Sequence, residues 1–399
     1  MGVLVEGQER RVVLWLGRHS VSTAGLWTYI QAVLPPLLQS LTHMGIEVEV
    51  YGAGPKQIRI DAERLCRFTR GVRLYWRTQG ASFSALRRVV GSIRDLSFQF
   101  ESQSKSPILL VHGISNTIPV RGAPTSPTIV TLHDLLQPNP TMPPRSMRAR
   151  YKQKYYQWYY DQMMDRVCGI VTGHEKTVPE IEEKFFHESR PERGKPPIRV
   201  VYPPLPAAYF EHSDENYAPK GHLLAFVSRD PRKNFSRTLA AFSSAHLDVQ
   251  TTLVVVIGNE EMLESVRAEV QKSTVANQTY LVLRPGRRRL IELYRGARGT
   301  LFPSLGEGFG YPIYESLSQG TPVLTSKGLL ASPFQKCRQM VEECDPHQVT
   351  SIAEGIKRLM GHETPSHLKA AVRQEIEGVL SPESAAKNLI DFYLELAKT

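Results

Sequence analysis

Short apolar runs alternate with longer amphipathic stretches along most of the chain. In the first half the runs are RVVLWLG from Arg11, IEVEVYG from Ile46, PILLVHG from Pro107, PTIVTLHD from Pro127, RVCGIVTG from Arg166 and IRVVYP from Ile198. Each has the length of a strand rather than of a helix. A helix-period stretch over 26–43 joins the first two. The second half repeats the alternation: HLLAFVS from His222, TTLVVVIG from Thr251, TYLVLR from Thr279, GTLFPS from Gly299, PVLTS from Pro322 and QMVEEC from Gln339 read as strands. Helical patterns fall at 234–247, 260–272, 287–298 and 347–360. Strands alternating with helices predict βαβ units and parallel sheets. Between the halves, LPAAYFEHSDENYAPKG has prolines, many polar residues and no apolar period, so it reads as a connection. The tail PESAAKNLIDFYLELAKT reads as a capped amphipathic helix.

Composition narrows the class. A chain of 399 residues exceeds one ordinary core, so two domains are expected. We place them at 1–208 and 222–380, with a linker at 209–221 and a terminal helix at 381–399. The formal charge of +10 favours anionic partners without choosing among nucleotides, nucleic acid and an anionic membrane surface. The four cysteines, Cys66, Cys168, Cys337 and Cys344, form no CxxC pair and fit reduced thiols in a cytoplasmic protein. The start, MGVLVEGQERR, is too polar for a secretory signal, and no apolar run is long enough to span a bilayer.

The segment GEGFGYPIYES, residues 306–316, carries candidate chemistry. GTLFPS ends as a strand just before it, and Pro312 suits the first turn of a helix. Gly320 is a natural C′ residue, after which PVLTS begins another strand. The glycine loop therefore exposes amides at a helix N-terminus, an anion-binding arrangement. Glu307 in the loop and Glu315 about one turn into the helix are suited to accept from the hydroxyls of a sugar or ribose. Taken alone, these residues equally fit a solvated Glu307 and a Glu315 that favours the helix dipole.

The longer stretch PSLGEGFGYPIYESLSQGTPVLTS closely resembles the Glu-x7-Glu signature of family-4 retaining glycosyltransferases of the GT-B fold. SRDPRKN is similar to that family's Arg-Lys phosphate segment, and HGISNTIP, VTLHDLL, RVVYPPL and LIELYRGARGTLFPS resemble further stretches in the same order. The likeness covers most of 11–330. It implies an α/β, GT-B architecture: two Rossmann-like domains whose parallel sheets face across a cleft, with the terminal helix returning to the N-terminal domain. It also implies roles. Glu315 would hold the donor ribose and Glu307 the transferred sugar. Phe309, Gly310 and Tyr311 would offer amides to sugar or diphosphate. Lys233, with Arg229 or Arg232, would neutralise the diphosphate, and His133 would face the reacting sugar. Gly25, in STAGLWTYI, would let diphosphate or acceptor come close, although the family more often has paired glycines there.

Other stretches keep two readings. His112 and Asn116 end a strand and fit structural or binding roles equally. RSMRARYKQKYYQWYYD, 145–161, is basic and aromatic; Tyr151, Tyr155 and Tyr159 share one helical face. It suits peripheral contact with an anionic membrane, single-stranded nucleic acid, or a packed helix with a solvated basic side. RPGRRR, 284–289, reads as a loop near the nucleotide base or a solvated helix start. There are departures from the family. KGLLASPFQKCRQM lacks the usual acid and glycine, and Gly173 stands where a serine is typical.

The expectation is a cytoplasmic hexosyltransferase, associating peripherally with the inner face of the membrane, that needs no metal and no other cofactor. It moves a sugar with retention from a nucleotide-sugar, GDP-mannose first among the candidates, to a glycan or lipid-linked acceptor. The competing readings are a catalytically silent scaffold or regulatory subunit, a basic nucleic-acid-binding protein, and an epimerase on the same architecture. Nucleic acid is the less favoured partner.

Overall fold

The computed structural model describes residues 10–18, 24–67, 69–78, 104, 106–118, 126–135, 147–186, 194–211 and 221–398. The chain divides into two compact units, one of residues 1–204 with 382–399, the other of residues 205–381. Residues 22, 23, 145 and 146, and 212–220 of the polar connection, lie outside the described residues.

In the first unit, strands β1 (Arg11–Arg18), β2 (Glu47–Gly54), β3 (Val72–Thr78), β4 (Ile108–Gly113), β5 (Thr128–Leu132), β6 (Gly169–Thr172) and β7 (Ile198–Val200) form a parallel sheet ordered β3-β2-β1-β4-β5-β6-β7. The order reverses between β1 and β4. Helices α1 (Ala24–His43), α2 (Lys56–Arg67), α3 (Met147–Met164) and α4 (Thr177–Phe185) belong to it. Helix α2 and strand β3 are additional to the elements the hydrophobic pattern predicts.

Helix α1 runs through Pro35 and Pro36. An interior proline costs about 3 kcal/mol. Val33, Leu34, Leu37 and Leu38 are fully buried around the pair. Each contributes about 1.5–3 kcal/mol, so burial wins. The terminal helix (Pro382–Leu396) joins this same core: Leu389, Phe392 and Tyr393 pack with α1 and the strand residues Val12, Leu14 and Ile129.

The second unit has the strands β8 (His222–Val227), β9 (Leu253–Ile257), β10 (Thr279–Leu283), β11 (Ala297–Phe302), β12 (Val323–Ser326) and β13 (Val341–Cys344), all parallel, ordered β10-β9-β8-β11-β12-β13. This is the doubly wound order 3-2-1-4-5-6, with its reversal between β8 and β11. Ligands of such sheets bind outside the carboxyl ends of the strands at that point. Helices α5 (Phe235–Ser244), α6 (Leu263–Gln271), α7 (Arg287–Gly296), α8 (Tyr311–Ser318), α9 (Val349–Met360) and α10 (Ser366–Leu380) complete the unit. Leu239, Phe242, Val255, Leu301, Leu324 and Ile356 centre its core. Helix α10 is additional to the predicted helices, and Val372, Ile376 and Leu380 form its buried face.

Candidate active site

The site in the second unit grows from the two loops that leave the neighbouring strands β8 and β11. After β8, Asp230 caps the short turn Pro231–Lys233, and Asn234 adopts a left-handed conformation (φ 56°). The Asn234 amide donates to Pro303 O at 2.9 Å and Pro346 O at 2.7 Å, tying the loop to the ends of β11 and β13. This latch places Lys233 beside the glycine loop. Its Nζ donates to Glu307 Oε1 at 2.8 Å, and Ser304 Oγ donates to the same oxygen at 2.6 Å. Glu307 Oε2 accepts no hydrogen bond among the described residues. The Lys233 ammonium also lies 4.7 Å from the centroid of Phe302. This adds a cation–π attraction on the dry side.

The two arginines divide their work. Arg232 holds both carboxylate oxygens of Asp230 and donates to Gly306 O at 3.0 Å. Burial pushes the Asp230 carboxyl up, but the Arg232 hydrogen bonds outweigh it and hold the carboxyl below its ordinary range. Arg232 is therefore the brace of the glycine loop. Arg229 pairs with Glu261 where both are exposed, so it remains the more accessible cation.

Helix α8 starts at Tyr311, with Gly310 as its N-cap at φ 86° and no side chain capping it. A residue with a Cβ is strained at that φ, and the added atom would meet Ile313 at 3.2 Å. No side chain caps this start, and helix N-termini of that kind attract anions. Phe309 stacks on Tyr314 at 4.4 Å and is buried, so its side chain serves packing.

Glu315 lies inside α8 and is only 8% exposed. Tyr294 OH donates to its Oε2 at 2.7 Å, and Tyr209 donates to the same carboxyl. Burial pushes the Glu315 carboxyl above its ordinary range. The hydrogen bonds from Tyr294 and Tyr209 and the charges of Arg287 and Lys233 oppose that rise. Tyr209 sits in the segment that reads as a connection, yet it is 2% exposed. The short run Ala207–Phe210 is too brief to show a period, while the burial of Tyr209 comes from α7 and α8, far along the chain. Asn234, Ser304 and Tyr294 lie in stretches the sequence singles out without marking these residues, Arg287 lies in RPGRRR, and Tyr209 lies in the polar connection. Of these, Tyr209 alone lies in a stretch with no local signal for the site. Among the described residues, no three His, Cys, Asp or Glu side chains gather as a metal cage.

In the first unit His133 follows β5. Its Nε2 donates to Ile114 O at 3.0 Å, its backbone N–H donates to Asn116 Oδ1 at 2.7 Å, and its ring meets Tyr29 edge-on at 4.6 Å. Burial pulls its pKa down to about 4. It is thus a neutral imidazole whose Nδ1 is an acceptor. Asn116 is the clamp of this loop. His112 is wholly buried, with Nδ1 2.5 Å from Tyr393 OH and Nε2 2.8 Å from Thr131 Oγ1, which settles its two readings as structural. Gly25 is exposed in the first turn of α1, with open space beside it.

Burial also pulls His112 down, to about 3. A folded pKa below the unfolded value of about 6.5 means that the unfolded chain binds the extra proton. Its stabilisation is full above pH 6.5 and is lost as pH falls toward 3. Urea unfolding between pH 7 and 5 should show a slope approaching about 1.4 kcal/mol per pH unit for each such ring. His112→Gln should flatten it. An unchanged slope would refute the neutral, buried assignment.

The family described as glycosyl transferases group 1 matches residues 210–375. A D-inositol 3-phosphate glycosyltransferase of Acidothermus cellulolyticus is 31% identical over 147 residues, 33% of this chain and 33% of the relative. An MMP alpha-(1->4)-mannosyltransferase of Mycolicibacterium hassiacum is 27% identical over 140 residues, again 33% of each chain. The chain thus matches about a third of the length of these curated relatives. Among solved structures, sucrose-phosphate synthase from Thermosynechococcus elongatus superposes with a TM-score of 0.69 at 15% identity, covering 97% of this chain and 99% of that one. Residues 210–375 thus match the glycosyl transferases group 1 family, and nearly the whole chain shares the two-sheet GT-B fold of the solved sucrose-phosphate synthase.

Proposed function

We propose that the chain transfers a hexose, with retention, from a nucleotide-sugar to a hydroxyl of a glycan or lipid-linked glycan, with GDP-mannose as the donor. The observation that carries the reading is the Lys233–Glu307 pair beside the uncapped start of α8, at the order reversal of the sheet. The mannose reading draws on the mannosyltransferase relative and on the resemblance of HGISNTIP and VTLHDLL.

In this reading Lys233, Arg229 and the α8 amides take up the negative charge that develops on the departing diphosphate. These fixed donors supply the compensation that a divalent cation would otherwise provide. The acceptor oxygen attacks the anomeric carbon from the face the diphosphate leaves. The C–O bond to phosphate breaks with its electrons, the new C–O bond forms, and the acceptor's proton passes to the leaving phosphate oxygen. Glu307 uses Oε2 to position a sugar hydroxyl, and Glu315 accepts from the ribose. Phe309, Gly310 and Tyr311 contribute backbone amides, and Gly25 leaves room for an approaching ligand. Neutral His133 accepts a sugar hydroxyl at Nδ1. We place the activity in the cytoplasm; no helix among the described residues is long and apolar enough to cross a membrane.

Thermal-shift screening against GDP-, UDP- and ADP-sugars tests the donor assignment. GDP-mannose at about 100 times its Kd should stabilise the protein by about 2.7 kcal/mol and raise the melting temperature, and the other donors should do so less. A melting point that no nucleotide-sugar raises would sink the donor site. A larger rise with UDP- or ADP-sugars would sink the choice of GDP-mannose alone.

A further inference from the structure

Helix α3 has a buried face that is fully accounted for and an outward face that is not. Tyr159, Tyr160, Met163 and Met164 are buried with Val130, Leu132 and Phe185, and Tyr159 OH bonds the backbone of Ile118. Opposite them, Met147, Tyr151 and Trp158 are 66%, 67% and 43% exposed. The other exposed large apolar side chains among the described residues, Met44, Val249 and Tyr280, lie outside this helix.

The stripe follows helical spacing: positions 147, 151, 154 and 158 stack on one side. Lys154 stands within it and Arg150 at its edge, both exposed. From Met147 to Trp158 the sequence MRARYKQKYYQW carries four cations and no acid. Water gains nothing from Met147 or Trp158, so an outward apolar stripe of this kind implies an occupant.

We propose that the outward face of α3 docks on an anionic lipid bilayer. Three features select that occupant. The charge is of one sign and matches an anionic surface. Aromatic rings and a methionine alternate with long cationic side chains, which suits a helix lying in the plane between headgroups and acyl chains. The stripe is on the convex surface of a helix, and methionine has no ring on which a base could stack, unlike the grooves that take single-stranded nucleic acid. The docking does not depend on the transfer reaction.

The test is flotation of the full chain with phosphatidylcholine vesicles, with and without phosphatidylglycerol. Binding is expected only with phosphatidylglycerol, with a blue shift of tryptophan emission that Trp158→Ser abolishes. Tyr151→Ser with Trp158→Ser, and separately Arg150→Glu with Lys154→Glu, should each weaken binding by about tenfold or more. Val249→Ser with Tyr280→Ser should leave it unchanged. Melting curves confirm that each variant is folded, and if one α3 pair unfolds the other decides. The proposal falls if vesicles are not bound, or if both α3 pairs bind as the parent does. It falls equally if the stripe instead binds an oligonucleotide, or if it holds two copies of the chain together in gel filtration.

Discussion

Glu307→Ala is expected to lower turnover by about 10²–10³-fold, the scale for losing one fixed polar group at the reacting centre. Donor affinity should hold or tighten. The asymmetry follows from the ion pair. Without nucleotide, Lys233 is neutralised by Glu307 at 2.8 Å. Removing the carboxylate frees that charge for a diphosphate while taking away the Oε2 acceptor that positions the sugar. Lys233→Ala should do the reverse to affinity, because it removes a diphosphate cation and leaves an 11% exposed carboxylate with Ser304 alone. Calorimetric donor titration beside steady-state kinetics separates the two. A Glu307→Ala enzyme that loses affinity as much as turnover would contradict this division of roles.

Glu315→Gln is expected to weaken donor binding by about 10–100-fold with little change in turnover, because a charged acceptor for ribose hydroxyls becomes a neutral one. The same substitution should leave stability at neutral pH equal or higher. Its folded pKa is raised, chiefly by burial. The native state therefore holds the proton more tightly than the unfolded chain does. The stability this contributes is present below the unfolded value of about 4.3 and is lost as pH rises through the raised folded value. Glutamine removes that loss. Donor affinity in the parent should run the other way, falling as pH drops through the raised pKa and the carboxylate is protonated. A binding site can keep such a destabilised charge because function requires it. Glu315→Gln with unchanged affinity, or with a lower melting temperature at pH 7, would refute the assignment. Glu315→Ala is a poorer probe, because it leaves the hydroxyls of Tyr294 and Tyr209 buried without their acceptor.

How much of the site was legible depends on distance along the chain. The glycine loop, Pro312 and the two glutamates lie within 306–316, where turn chemistry and helix-start signals are local. The partner of Glu307 is 74 residues away, and Tyr294, the nearer in sequence of the two tyrosines that donate to Glu315, is 21 residues away. No period or spacing links such pairs. RDPRK offered three cations without saying which does what. Geometry separates them, since Arg232 is consumed by Asp230 and Gly306 while Lys233 reaches Glu307. His112 and His133 both end strands, and only their surroundings tell a wholly buried ring from a loop imidazole with an open acceptor.

By itself the sequence determined the alternation of strands and helices, the start of α8 at Gly310 to Pro312, and the placing of two carboxylates around it. These are short-range consequences of side-chain period, positive φ and a missing donor. The tertiary structure decided the rest. The sheet order brings the loops after β8 and β11 together, so Lys233 and Glu307 become one ion pair. The terminal helix packs on α1, so the chain's last residues complete its first core. Burial turns Tyr209 from a residue of a polar connection into a donor to Glu315. It also leaves Met147, Tyr151 and Trp158 outside. The reason is common to all of these: contacts between distant segments depend on how sheets are wound and which faces they cover, and no local pattern encodes that.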